Sequence, residues 1–260
     1  MTQLIQSYHI LATLCFVLVS LVVSTRLLLL AHRTRQKPEL FLGLGLLGTA
    51  VLGYGVLIAA VILRGADQTH TVATLDRSLQ ACGQLLHDAG VTMIVIFVVS
   101  TFRPREPWAK ALAALLIGAL WGGTLGWELT NGFHFVGRGN GFWWLEYAAI
   151  WTYPLWTMVE SYRYYALMRR RQAIGLADPL VTNRFLLWGS ASLGTALAIW
   201  TSSISFFLPQ RPELIAAWGP PIQIATATFG VVTVALFYLT FFPPSWYRRR
   251  IVATRSAAAA

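Results

Sequence analysis

The stretch MRRRQAIGLADPLVTNRFLLWG, residues 168–189, is the one long polar passage between two apolar runs in the second half of the chain. Three consecutive arginines, a glycine and an Asp-Pro pair cannot extend an apolar helix, so the passage is a connection. What it connects decides the fold. The runs on either side, residues 143–167 and 185–208, are each as long as the roughly 20 residues a helix needs to cross a hydrocarbon core about 30 Å thick. Working outward, the same pattern recurs at residues 10–30, 40–63, 79–102, 109–130 and 215–241.

Composition agrees, since 56% of residues are hydrophobic and only 12% are charged. Closed barrels are the other way to span lipid with every backbone group satisfied, but their strands alternate apolar and polar residues and these runs do not. The first run has no basic residue before it and no small-residue cleavage site after it, which argues against a signal peptide. The expected fold is all-α: a seven-transmembrane-helix bundle forming a single domain over residues 1–252, followed by a short disordered cytoplasmic tail at 253–260.

Basic residues in short connections set orientation. Arg33, Arg35, Lys37, Arg103, Arg105, Lys110, Arg169, Arg170, Arg171, Arg184, Arg248, Arg249, Arg250 and Arg255 fall on one side, while Arg64, Arg77, Arg138 and Arg211 fall on the other. Fourteen against four predicts an outer N-terminus and a cytoplasmic C-terminus. The net charge of +10 therefore reports topology first and attraction to anionic headgroups of membrane lipids second, and nucleic acid is not an expected partner.

The opening stretch becomes the third cytoplasmic connection. Arg169, Arg170 and Arg171 end the fifth span where cations suit both the helix C-terminus and the negative inner leaflet. Gly175 turns the chain, Asp178-Pro179 stops any helix before it, and Thr182 or Asn183 is expected to cap the sixth span. A capped turn with a basic anchor explains nearly every residue. The sharper alternative is a docking surface for a protein partner, built from Arg169, Arg170, Arg171, Asp178, Asn183 and Arg184.

The segments GLADPLVTNRFLLWG at residues 175–189 and FFPPSWYRRRI at 241–251 resemble a group of bacterial seven-helix membrane proteins that carry no assigned activity. The resemblance implies a bacterial cytoplasmic (inner) membrane and a multi-pass chain. Better-known seven-helix families fit less well. Retinal pigments need a lysine in the seventh span, and the only lysines are Lys37 and Lys110, so covalent retinal is excluded and the cofactor is unknown. The seventh run has no histidine for a His-x-x-x-His zinc pair. At the inner end of the third span, Ser100-Thr-Phe-Arg103-Pro replaces the acidic-Arg-Tyr triplet of eukaryotic receptors.

Ionisable groups inside the spans are costly and so mark candidate function. LQACGQLLHDAG in the third span sets Gln80, Gln84 and His87 at intervals of four and three, along one face, with Asp88 adjacent. At the same predicted depth lie Glu128, Glu146, His9, Tyr54, Gln223 and the hydroxyls of Thr201, Ser202, Ser203 and Ser205. A ligand pocket in the outer half would use Gln84, His87, Asp88, Glu128, Glu146, Tyr153 and Gln223. The plainer alternative is that these groups satisfy one another within the bundle. No ligand spacing calls for a metal.

The fifth span also holds Pro154, which removes a backbone hydrogen bond and is expected to bend the helix. Lower on it, Glu160 and Arg163 are placed to pair. Gly118, Gly122 and Gly126 form a small-residue stripe suited to close helix packing. Trp143, Trp144 and Trp246 suit interfacial belts, and Cys15 and Cys82 are expected as buried free thiols. No nucleophile elbow or phosphate loop is present, so an enzyme is not the expected reading. Two functions remain: a receptor-like sensor with a polar outer pocket and a basic readout loop, or an accessory or scaffold subunit of a larger membrane complex.

Overall fold

The computed structural model describes residues 2–66, 70–131, 141–208 and 211–258, and among them every regular element is helical. The helices are α1 Thr2–Thr34, α2 Lys37–Leu46, α3 Tyr54–Ala66, α4 His70–Phe102, α5 Pro107–Asn131, α6 Gly141–Ala173, α7 Pro179–Phe207, α8 Pro212–Phe241 and α9 Ser245–Ala258. A π-helical segment, Leu47–Gly53, joins α2 to α3 without a break.

The breaks follow local chemistry. Arg35 takes φ 58° and donates its N–H to Ala31 O at 2.8 Å, closing the C-terminus of α1 as a left-handed cap does. Pro38 and Pro107 lie at the starts of α2 and α5, where the missing N–H costs nothing. After α6, Gly175 at φ 77° and Leu176 donate back to Gln172 O and Arg171 O. Asp178 then caps α7 by accepting from the Leu180 amide at 2.7 Å, with Pro179 next to it. The cap is therefore neither Thr182 nor Asn183; the Asp-Pro pair supplies both the side-chain acceptor and the preset φ, so the helix starts earlier than the apolar run suggested.

Among the described residues, five helices are long and apolar enough to cross a membrane: Ser7–Thr34, Lys37–Ala60, Leu75–Phe102, Pro107–Thr130 and Pro212–Phe241. Their outward faces carry exposed Leu11, Leu18, Leu115, Leu125 and Leu129, the surface expected where the solvent is lipid. Helices of this length and hydropathy are those expected of a membrane protein. The other two runs are helical as well, but α6 is interrupted by Glu146, Glu160 and Arg163, and α7 by a series of hydroxyls from Ser190 to Ser205.

The described helices gather into two compact units. One comprises residues 16–153 and the other residues 1–15 with 154–260, so one boundary falls at Pro154. In the first unit α4 is the axis, packed along α2, the π segment and α3, and against α5. A Cβ at Gly48 would sit 2.8 Å from Gly90 Cα, so glycine on both sides permits the backbone approach. In the second unit α7 pairs with α8 and carries α9, and Tyr8 bonds Thr228 at 3.1 Å. Asn183 Nδ2 donates to Tyr247 Oη at 2.8 Å, pinning α9 to α7. That helix runs to Ala258; its alanines and arginines are strong helix formers.

Three smaller expectations change. Cys15 and Cys82 are exposed, facing outward on apolar helices where a thiol is a tolerable small hydrophobe. Gly118 has open space around it and Gly122 only a distant leucine, whereas Gly126 lies against Phe142; most of the stripe faces outward. Trp143 is buried and stacked on Tyr147 at 4.2 Å, while Trp144 and Trp246 are exposed.

Candidate functional site: a buried polar cluster

Along α4, polar residues recur every fourth position at Asp76, Gln80, Gln84, Asp88 and Thr92, one stripe of a helix. Asp76, Gln80, Gln84 and Asp88 are buried, Asp88 completely at 0% exposure. Gln80 Nε2 donates to Asp76 Oδ2 at 2.8 Å. One turn on, Gln84 Nε2 donates both to Asp88 Oδ1 at 3.1 Å and to Glu146 Oε1 of α6 at 2.8 Å. His87 sits at the edge of the stripe, half-buried, with Nδ1 3.2 Å from Asp88 Oδ1.

The neighbouring helices complete the cluster. From α5, Thr124 Oγ1 lies 2.5 Å from Asp88 Oδ2 and 3.0 Å from Leu120 O. Trp121 Nε1 donates to Thr92 Oγ1 at 2.9 Å, and Thr92 in turn donates to the Asp88 carbonyl at 2.8 Å. Glu146 is 6% exposed. It reaches the cluster because α5 has glycine opposite it: a Cβ on Gly123 would come within 2.6 Å of both the Glu146 amide nitrogen and its Cβ. From α3, the Tyr54 ring meets the His87 imidazole edge-on at 5.7 Å between centroids, and Phe16 of α1 meets Tyr54 in the same way at 5.9 Å. The π-helical segment ends one residue before Tyr54, with Gly53 against His87. Single π turns are often found at functional positions.

Of the residues expected to form a pocket, Gln84, His87, Asp88 and Glu146 come together. Glu128 lies one turn beyond Thr124 on α5, and Tyr153 is buried on α6 two turns beyond Glu146. Gln223 is exposed on α8, in the other compact unit. Thr124, Thr92 and Trp121 were missed. The four-residue repeat through Asp88 was visible in the sequence, but reading the stripe through His87 hid it. A threonine in an apolar helix carries no such signal.

At the α6–α7 connection, Arg169, Arg170, Arg171 and Arg184 are exposed, with the Arg169 guanidinium 5.9 Å from the Tyr165 ring centroid. Asp178 and Asn183 are committed to the cap of α7 and to Tyr247. Higher on α6, Arg163 pairs with buried Glu160 at 3.6 Å.

Around Asp88 the cluster brings together a second buried carboxylate, Glu146, the His87 imidazole, the Gln84 amide and the hydroxyls of Thr92 and Thr124, with no lysine or arginine bonded to Asp88 or Glu146 among the described residues. Such a set can hold or exchange charge, and no group of three or more metal-ligating residues occurs among the described residues. Compared with family models, curated proteins and solved structures, the chain matches none.

Proposed function

We propose that this protein is a seven-span membrane sensor, receptor-like in plan, with its N-terminus outside and its C-terminus in the cytoplasm of a bacterial inner membrane. Its input is the polar cluster of α4, α5 and α6. Its output is the basic connection at Arg169, Arg170, Arg171 and Arg184, which engages anionic lipid or a cytoplasmic protein. The observation that carries the reading is the Asp88–Gln84–Glu146 link, two carboxylates on different helices held by one amide inside apolar helices. Groups this costly to bury gain most from a role in which their charge or bonding changes. Helix α6 supports it further, since Glu146 lies near its first turn and the arginines occupy its last.

A second reading, an accessory or scaffold subunit of a membrane complex, is favoured by one specific feature: the bonds of the cluster run among its own members, as packing polar groups do. A fluorophore on Arg171→Cys, in a background lacking Cys15 and Cys82, separates the two. A sensor gives an emission change on varying pH or adding small polar metabolites, and Glu146→Gln removes it. An unresponsive label across all conditions transfers the assignment to the scaffold.

A further inference from the structure

The Thr124 hydroxyl has one proton and two acceptors within reach, Leu120 O at 3.0 Å and Asp88 Oδ2 at 2.5 Å. It can donate to only one of them. A carboxylate is the stronger of the two acceptors, so the hydroxyl donates to Asp88 Oδ2. With Gln84 Nε2 donating to Oδ1, Asp88 is held at both oxygens by neutral donors.

We infer that the Asp88–Glu146 pair is a proton-binding site, the two carboxyl groups holding one proton between them in place of a second buried charge. The remaining bonds then close without conflict: Asp88 Oδ1 accepts from Gln84 Nε2 at 3.1 Å, and Glu146 Oε1 accepts from the same amide at 2.8 Å. Charge points the same way. Both carboxylates are buried, and among the described residues neither is bonded to a lysine or arginine and only Asp88 to an imidazole, so with both ionised at least one buried charge would stay unpaired, which is costly.

The groups facing Asp88 are few. His87 is beside it on α4, Tyr54 of α3 touches the His87 ring, and Glu146 and Tyr147 follow on α6. From α5 come Thr124 and Trp121, which do not titrate. His87, at 12% side-chain exposure and 3.2 Å from Asp88, is the one imidazole in this set and the route by which the proton enters and leaves.

This names the ligand of the proposed sensor site and takes its functional meaning from that reading. The test is infrared spectroscopy of the full chain in detergent or nanodiscs, in H2O and D2O. A carboxylic-acid C=O band that shifts in D2O and disappears in Asp88→Asn is the expected result. Thr124→Val, which removes a hydrogen bond donated to the Asp88 carboxyl, should move that band to higher frequency, and His87→Gln should slow its exchange into D2O. A wild type without such a band, a band retained in Asp88→Asn, or a band abolished by added sodium or calcium overturns the proposal. An Arg171 label silent to pH alongside a band that behaves as expected leaves the proton site standing and removes the sensor reading alone.

Discussion

Gln84 and Arg171 are both polar side chains on membrane-protein helices, and their surroundings are opposite. Gln84 lies in a cluster assembled from three helices, where the bonds to Glu146 and from Thr124 to Asp88 depend on the position of another helix. Arg171 lies in a connection settled by neighbours within a few residues: the Leu176 amide returning to Arg171 O, Gly175 at positive φ, Asp178 capping α7. Without water, polar atoms must find one another across helices; with water, local backbone rules suffice. Changes in the cluster should therefore propagate, and changes in the connection should stay local.

The largest expected effect is at the frame of the cluster. Gly90→Leu drives a side chain into the backbone of Thr49 and Gly48; overpacking of this kind costs about 3 kcal/mol, and the melting temperature in detergent should fall accordingly. Full wild-type stability would mean that α4 and the π segment are not in contact. Next comes Asp88→Ala, which takes one acceptor from Gln84 and one from Thr124 at about 2 kcal/mol. Asp88→Asn, which keeps an acceptor oxygen, should recover part of that loss.

Removing the cap with Asp178→Ala should cost about 1 kcal/mol, and hydrogen exchange should rise in the first turn of α7 and nowhere else. Should this variant melt below Asp88→Ala, the contrast between collective and local sites would be reversed. Smallest is Arg170→Gln, exposed and away from the cap, expected within about 0.5 kcal/mol of wild type. Its effect should appear instead in topology. A reporter fused after Ser256 should be active in the cytoplasm, and neutralising the basic connections together should shift that balance.

How the candidate site was read from sequence illustrates the same division. His87 stood out because an imidazole in an apolar run is conspicuous, yet the four-residue period of Asp76, Gln80, Gln84, Asp88 and Thr92 makes Asp88 the buried member and leaves His87 at the edge. Glu146 was noticed for its charge, but nothing in the sequence says that Gly123 opens the space it occupies. Nor could the stripe Gly118, Gly122 and Gly126 be told from Gly123, because a glycine's packing role depends on which face meets a neighbour.

The all-helical fold and the long apolar helices were determined by sequence alone, since run length and hydropathy act along one chain and need no partner. The breaks at Arg103-Pro104 and Asp178-Pro179 belong to the same class, because proline removes a donor wherever it lies. The ion pair of Glu160 with Arg163 does too, being three residues apart on one helix. Tertiary structure decided the π segment, the division near Pro154 into two units, and the bonding of Asp88 to Thr124 and, through Gln84, to Glu146. Each of these depends on which helices pack side by side and how closely, a property of pairs of helices that no single run of residues encodes.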